Sequence, residues 1–360
     1  MLALPRKADA IHGVAYPQRR GKADALDSRG RSRALLTTAL VVSTFLLLLC
    51  SLAVGSRAIP LPDLVSALLR GGEADIENIV WDLRIPRTFV AYFAGAAIAV
   101  SGVIAQSWTR NPLADPGFIG ITAGASFLVA LGTALGVATS TGMRTALALV
   151  GAGLATALVL GVSRRFQDPL TLVLVGAGVA AALSSSAMLI GLYSTDVLDS
   201  MRRWTIGSTF GRGPEDVAIG GAGLFIGFII AARVARPLDL LAMGEESSVA
   251  LGGSPTLARR GAASSIVVLA GCATAATGPI AFVGFAIPHL LRRFTGPEVT
   301  AMIAPAALLG GCSVLAADIL GRLIAGPSEL EMSIVLAFVG APFLLSLIHI
   351  SEPTRRYAIS

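Results

Sequence analysis

The stretch Trp81–Gly117 reads WDLRIPRTFVAYFAGAAIAVSGVIAQSWTRNPLADPG and sets Arg84 and Arg87 three residues apart, just ahead of a nearly uncharged apolar run. Three apart, they share one face of a helix, and Pro86 between them suits a helix's first turn. A guanidinium pairs with a carboxylate through a two-pronged fork that fixes orientation as well as attraction. At a membrane boundary it also snorkels to lipid headgroups. Far downstream, Asp318 is the clearest acidic residue inside an apolar run, and Arg322 follows four positions later on the same helical face. That spacing predicts a local ion pair near a helix end.

This is recognition chemistry, and the residues for catalysis are missing. No Gly-x-x-x-x-Gly-Lys-Ser/Thr loop is present, and the only lysines, Lys7 and Lys22, lie near the N-terminus, so no phosphate cradle of the P-loop kind is available. Neither His-Glu-x-x-His nor Gly-x-Ser-x-Gly occurs. His12 and His349 sit near the ends and leave His289 alone in the middle of the chain. The cysteines Cys50, Cys272 and Cys312 all lie in apolar stretches without metal-ligand spacing, and packing is their expected role. A proton- or sodium-driven carrier needs buried titratable groups in series, and no such chain of carboxylates is visible. Uphill transport would therefore draw its energy from a partner.

The elements that must hold these residues are membrane helices. Charged residues are 14% of the 360 and hydrophobic ones 54%, with a mean hydropathy of +0.76, where a soluble domain carries about 25% charge. The charges collect in short clusters between long apolar runs, the pattern of an all-α polytopic membrane protein. The net charge of +6 sits at the ends of those runs, not on one solvated face, which argues against nucleic acid as a partner.

Apolar runs at 34–54, 87–107, 118–137, 143–163, 170–192, 215–234, 261–278, 280–291, 302–321 and 332–347 predict ten spans. The eighth is too short for a full crossing, and Gly278-Pro279 ahead of it predicts a tight turn or a broken helix. Residues 1–33 form a basic tail, and no cleavage site follows it. Ten crossings put both termini on one side. Taking that side as cytoplasmic places 19 of the 28 Lys and Arg inside, in keeping with the positive-inside rule. Ala91, Gly95 and Ala99 form a small-residue ladder continued by Gly102, a signal of close helix packing. Asn111-Pro112 closes its span, because proline disfavours helix at the residue before it.

Several segments in order resemble the FecCD-type permeases, the membrane subunits of ATP-binding-cassette importers for iron-siderophores, haem and cobalamin. They are LRIPRT and GAAIAVSGVIAQ with RNPLADPGFIGITAGA, RRWTIGS from Arg202, LLAMGEESSVALG from Leu240, GPIAFVGFAIPHLLRRFTGPE from Gly278, PAALLGGCSVLAADILGRL from Pro305 and GAPFLL from Gly340. The resemblance covers residues 34–347 and implies a cobalamin-permease-like bundle of ten helices in a multi-pass subunit of a bacterial inner or plasma membrane. A second permease subunit, identical or related, would complete the pathway. ABC ATPase subunits would sit on the cytoplasmic side, and a periplasmic or lipoprotein binding protein would deliver a ferric siderophore, with haem or cobalamin as alternatives. No cofactor of its own is implied.

The resemblance also assigns roles. Arg84, Arg87 and Arg322 match positions that engage acidic residues of the binding protein. The short polar segment from Leu240 and Leu241 through Gly244, Glu245 and Glu246 to Leu251 and Gly252 matches the loop that couples to the ATPase. Pro169 and Leu170 fall at the cytoplasmic gate, where a cobalamin-type permease has small hydroxyl residues, and this substitution disfavours cobalamin. Two departures stand out. ELEMSI from Glu329 places a charge where the family usually has proline, although glutamate suits the start of a helix. The last residues, 348–360, do not look like a family ending. An ion-coupled carrier or an intramembrane enzyme would need a titratable relay or a nucleophile–base pair that the sequence does not offer.

Overall fold

The computed structural model describes residues 20–55, 58–163, 169–193, 195–325 and 330–351, and the regular elements among them are all helical. In chain order, α1 (Arg20–Ala53) is followed by two short helices, α2 (Leu61–Leu68) and α3 (Ala74–Asn78), and a π-helical turn (Ile79–Arg84) that runs straight into α4 (Ile85–Thr109). A 3-10 turn (Pro116–Ile119) leads to α5 (Ile121–Ala134), α6 (Thr141–Ser163), α7 (Pro169–Leu192) and the short α8 (Thr195–Ile206). Then come α9 (Pro214–Ala242), the six-residue α10 (Glu245–Ala250), α11 (Pro255–Thr277), α12 (Val283–Thr295), α13 (Val299–Ile324) and α14 (Met332–Ser351).

Every expected span contains a helix, but their lengths differ. Seven helices among the described residues are long and apolar enough to cross a bilayer: Ser32–Ala53, Ala74–Thr109, Thr141–Ser163, Thr171–Leu192, Pro214–Ala242, Pro255–Thr277 and Val299–Ile324. The expected span 118–137 is cut to the 14 residues of α5, because Gly120 adopts φ +78° and separates the 3-10 turn from the helix. The expected span 280–291 becomes the 13-residue α12, entered through Phe282 at φ +69° and closed by Gly296 at φ +80°. The turn read at Gly278-Pro279 is real, with Gly278 at φ +79° capping α11. Helix α1 begins at Arg20, ahead of residue 34, so the expected tail is helical over its last part. Residues 1–19 and 352–360 lie outside the described residues.

Helix α4 is the axis of the bundle. In its most apolar window 83% of residues are buried, against 11% for α1 and for α7, and it packs on α13, α11, α9 and α12. The small-residue ladder makes this possible. Ala91 and Ala99 are fully buried. A methyl group on Gly95 would collide with the Gly310 carbonyl and Val314, and one on Gly102 with the backbone of Gly284. Helix backbones therefore approach one another directly, the packing that small residues permit in a membrane. Pro86 stands in the first turn of α4, as its place in the sequence predicts, and the π turn just ahead runs into that helix without a break.

Candidate functional site

At one end of the bundle the end of α1, the start of α4, the loop before α9 and the end of α13 meet in one polar cluster. Its centre is Asp318, 1% exposed. Arg87 reaches it with Nε at 3.0 and 3.2 Å and with Nη2 at 2.8 Å. Arg322 adds Nη2 at 2.8 Å from Oδ2, the i,i+4 pair expected from its spacing. The Thr209 hydroxyl donates to Oδ1 at 2.5 Å.

The other face of the cluster closes α1. The last carbonyls of a helix have no partner within it, and here arginines supply one, where a cation also suits the helix dipole. Arg322 Nη1 donates to Ser51 and Val54 carbonyls, each at 2.9 Å, and its Nη2 to Ser51 Oγ at 2.7 Å. Arg84 Nη1 donates to Leu52 at 2.6 Å and Ala53 at 2.8 Å. Ser51 and Thr88 share a hydroxyl pair at 2.7 Å. The structure thus brings Arg84, Arg87 and Arg322 together, but with separate tasks: Arg84 and Arg322 are buried at 6% and 5% exposure, and the Arg87 side chain is 12% exposed.

The opposite ends of the same helices carry the second site. Arg110, left-handed at φ +50°, caps α4 and donates to the Leu241 carbonyl at 2.6 Å. Asp239 accepts from Val299 N at 2.6 Å, Thr300 N at 3.2 Å and Thr300 Oγ1 at 2.9 Å, and so caps α13. Just beyond, the chain turns at Gly244 (φ +109°), forms α10, and turns again at Gly252 (φ +79°). Leu241 is buried, whereas Met243, Val249, Leu251 and Leu257 are exposed apolar residues beside exposed Glu245 and Glu246. Glu245 pairs with Arg259 at the start of α11. The segment is a short helix held between two helix ends, with an apolar and acidic surface.

Two further features escape sequence reading. Gln106, 1% exposed, accepts from Arg292 Nη2 at 2.8 Å and donates to the Phe285 carbonyl at 3.2 Å, joining α4 to α12. In the loop after α4, Asp115 accepts from Gly117 N at 2.8 Å, and burial raises its carboxyl above the ordinary range, partly offset by that bond. Asn111 Oδ1 accepts from Leu113 N, so Asn-Pro does end the span. Pro169 and Leu170 open α7, and their side chains lie outside the described residues.

Residues 43–349 match the family model of the FecCD transport family. Among known proteins, the chain is 36% identical to the ferric enterobactin transport system permease protein FepD of Escherichia coli, over 87% of this chain and 96% of that protein. It is 31% identical to the Fe(3+)-citrate import system permease protein YfmE of Bacillus subtilis, over 89% and 97%. Its fold superposes on a solved inward-facing structure of a metal-chelate type ABC transporter with a TM-score of 0.79 and 25% identity, covering 88% of this chain and 99% of that one.

Proposed function

The chain belongs to the FecCD transport family, and from that membership we propose that it imports a ferric siderophore as the membrane subunit of an ABC importer. It is a multi-pass permease for substrates of the iron-siderophore, citrate or haem type. The observation that carries this reading is the match to FepD across almost the whole of both chains. ATP is hydrolysed by a separate cytoplasmic ATPase, a delivery protein brings the chelate from outside, and a second permease subunit completes the pathway.

The two sites fit this division of labour. The arginine cluster gathers Arg84, Arg87 and Arg322 at one end of the bundle, and guanidiniums there suit acidic groups on a delivery protein. We assign it to the outer face of a bacterial inner or plasma membrane, with both termini cytoplasmic, and Arg87, the most accessible of the three, leads the contact. Leu240–Gly252, with Glu245, Glu246 and Leu251 exposed, is the ATPase-facing segment, a small helix able to lie in a partner's groove. Pro169 and Leu170, at the inward end of α7, are assigned to the cytoplasmic gate.

The test is reconstitution with an ATPase and a delivery protein in proteoliposomes. Delivery protein loaded with a ferric siderophore should raise ATP hydrolysis and drive uptake. Uptake by the chain alone, driven by a proton gradient, would overturn the reading.

A further inference from the structure

A cavity of about 260 Å³ opens at the same end of the bundle as the arginine cluster, between the starts of α6 and α14 and the loop that leads to α9. Buried Trp204 and Thr145 lie along it, and Arg144, Arg212, Ser208 and Glu331 bring polar groups to it. The two guanidiniums are held from behind. Arg144 Nε donates to the Ala138 carbonyl and Arg212 Nε to the Ser208 carbonyl, each at 3.2 Å. Arg212 Nη1 stands 3.8 Å from Asp216, at ion-pair but not hydrogen-bond distance. Among the described residues the terminal nitrogens of both arginines have no hydrogen-bond acceptor. Asp216 and Glu331 attract Arg212 across space, but the terminal N–H groups of both arginines still lack a bonded acceptor that a ligand could supply.

We propose that this cavity binds a carboxylate of a small organic solute. Two fixed guanidiniums match a carboxylate's geometry, the hydroxyls of Thr145 and Ser208 add donors, and Trp204 supplies an apolar wall, the usual mixture of a small-molecule site. The cavity has room for one acidic arm of a chelate, not for a whole one. Glu331 tunes it: a carboxylate lining the cavity weakens the hold on an anion, favouring release. The site also adjoins the cluster through one step of chain, since Ser208 lines the cavity while Thr209 bonds Asp318.

The test uses the full chain in lipid nanodiscs, titrated with citrate and with its neutral triethyl ester, and so does not depend on the transport reading. Citrate should bind saturably and the ester should not. Arg144→Gln and Arg212→Gln should each weaken citrate at least tenfold, and Glu331→Gln should tighten it. Should Arg212→Gln fail to fold, Arg144→Gln and Glu331→Gln still decide, because Arg144 is exposed and supports a single loop carbonyl. No citrate binding by the parent chain, or binding indifferent to these changes, overturns the proposal. So does an Arg144→Gln chain whose citrate affinity is intact while its affinity for the delivery protein falls.

Discussion

Arg87 grips Asp318 with Nε at 3.0 Å and Nη2 at 2.8 Å, although 231 residues separate them in the chain. The contact joins the start of α4 to the end of α13, and the opposite ends of these helices meet the segment around Asp239 and Leu241. The two helices also pack backbone to backbone at Gly95 and Gly310. Both helices thus run between the two candidate contact surfaces, in direct backbone contact midway.

Neutralising Asp318 should damage the fold as well as any docking. Asp318→Asn takes from Arg87 and Arg322 the buried carboxylate that both engage, and removing one partner of a buried pair costs about 3–5 kcal/mol. The thermal unfolding midpoint in detergent should fall clearly. Replacing Arg87 and Asp318 together with leucines should cost less than Asp318→Asn, and equal or greater loss would show that the pair is not a coupled unit.

The glycine contacts predict a second, steric effect. Gly95→Val places a branched side chain against the Gly310 carbonyl, and overpacking of this kind costs typically about 1–3 kcal/mol. Gly153→Val, on α6 with open space around it, is the control. The first variant should unfold at a lower temperature than the parent, and the second should stay close to it.

How far the sequence revealed this arrangement depends on the range of each contact. The ladder at Ala91, Gly95 and Ala99 and the pair Asp318–Arg322 are periodic within one helix, so spacing alone exposes them. The grip of Arg87 on Asp318 and the cap of Asp239 on α13 join distant segments, and only the folded chain brings them together. Arg84 and Arg87 lie three apart, yet within the chain Arg87 binds Asp318 while Arg84 turns to the last carbonyls of α1, a division that spacing alone does not reveal. Hydropathy located each of the seven helices long enough to span among the described residues but overran α5, since it does not register a left-handed glycine such as Gly120. The short α2, α8 and α10 are invisible to a window of about 20 residues.

Capping by Asp239 predicts a loss of coupling. Asp239→Ala removes three hydrogen bonds from the start of α13, and loss of an N-terminal cap costs about 1 kcal/mol. In the reconstituted importer, basal ATP hydrolysis should persist while its stimulation by loaded delivery protein drops several-fold. Undiminished stimulation would show that α13 does not depend on this cap.

Asp115 predicts a pH dependence of definite sign. Its folded-state carboxyl is raised by burial, with the Gly117 N–H partly opposing. A raised value means that the protonated form favours the fold. This contribution is fully present below the ordinary carboxylate range, about pH 4, and is lost as pH rises through the folded-state value. Asp115→Asn can still accept from Gly117 N but carries no charge to bury. The parent should therefore lose stability relative to Asp115→Asn as the pH of melting experiments is raised from 4 to 8, and a constant difference would remove the claim.

The surface around α10 separates folding from partnership. Val249 and Leu251 are 60% and 61% exposed, so they add little to the chain's own core, and an aspartate at either place leaves no cavity and buries no charge. Substitutions at exposed positions of this kind usually change stability by less than about 0.5 kcal/mol. Against an ATPase groove the same aspartates would be desolvated without a partner, a cost of several kcal/mol. Val249→Asp and Leu251→Asp should thus melt like the parent yet fail to retain the ATPase on co-purification. Glu245→Gln, which gives up only an exposed pair with Arg259, should change stability little. Normal ATPase retention by both aspartate variants would move the coupling surface elsewhere on this face.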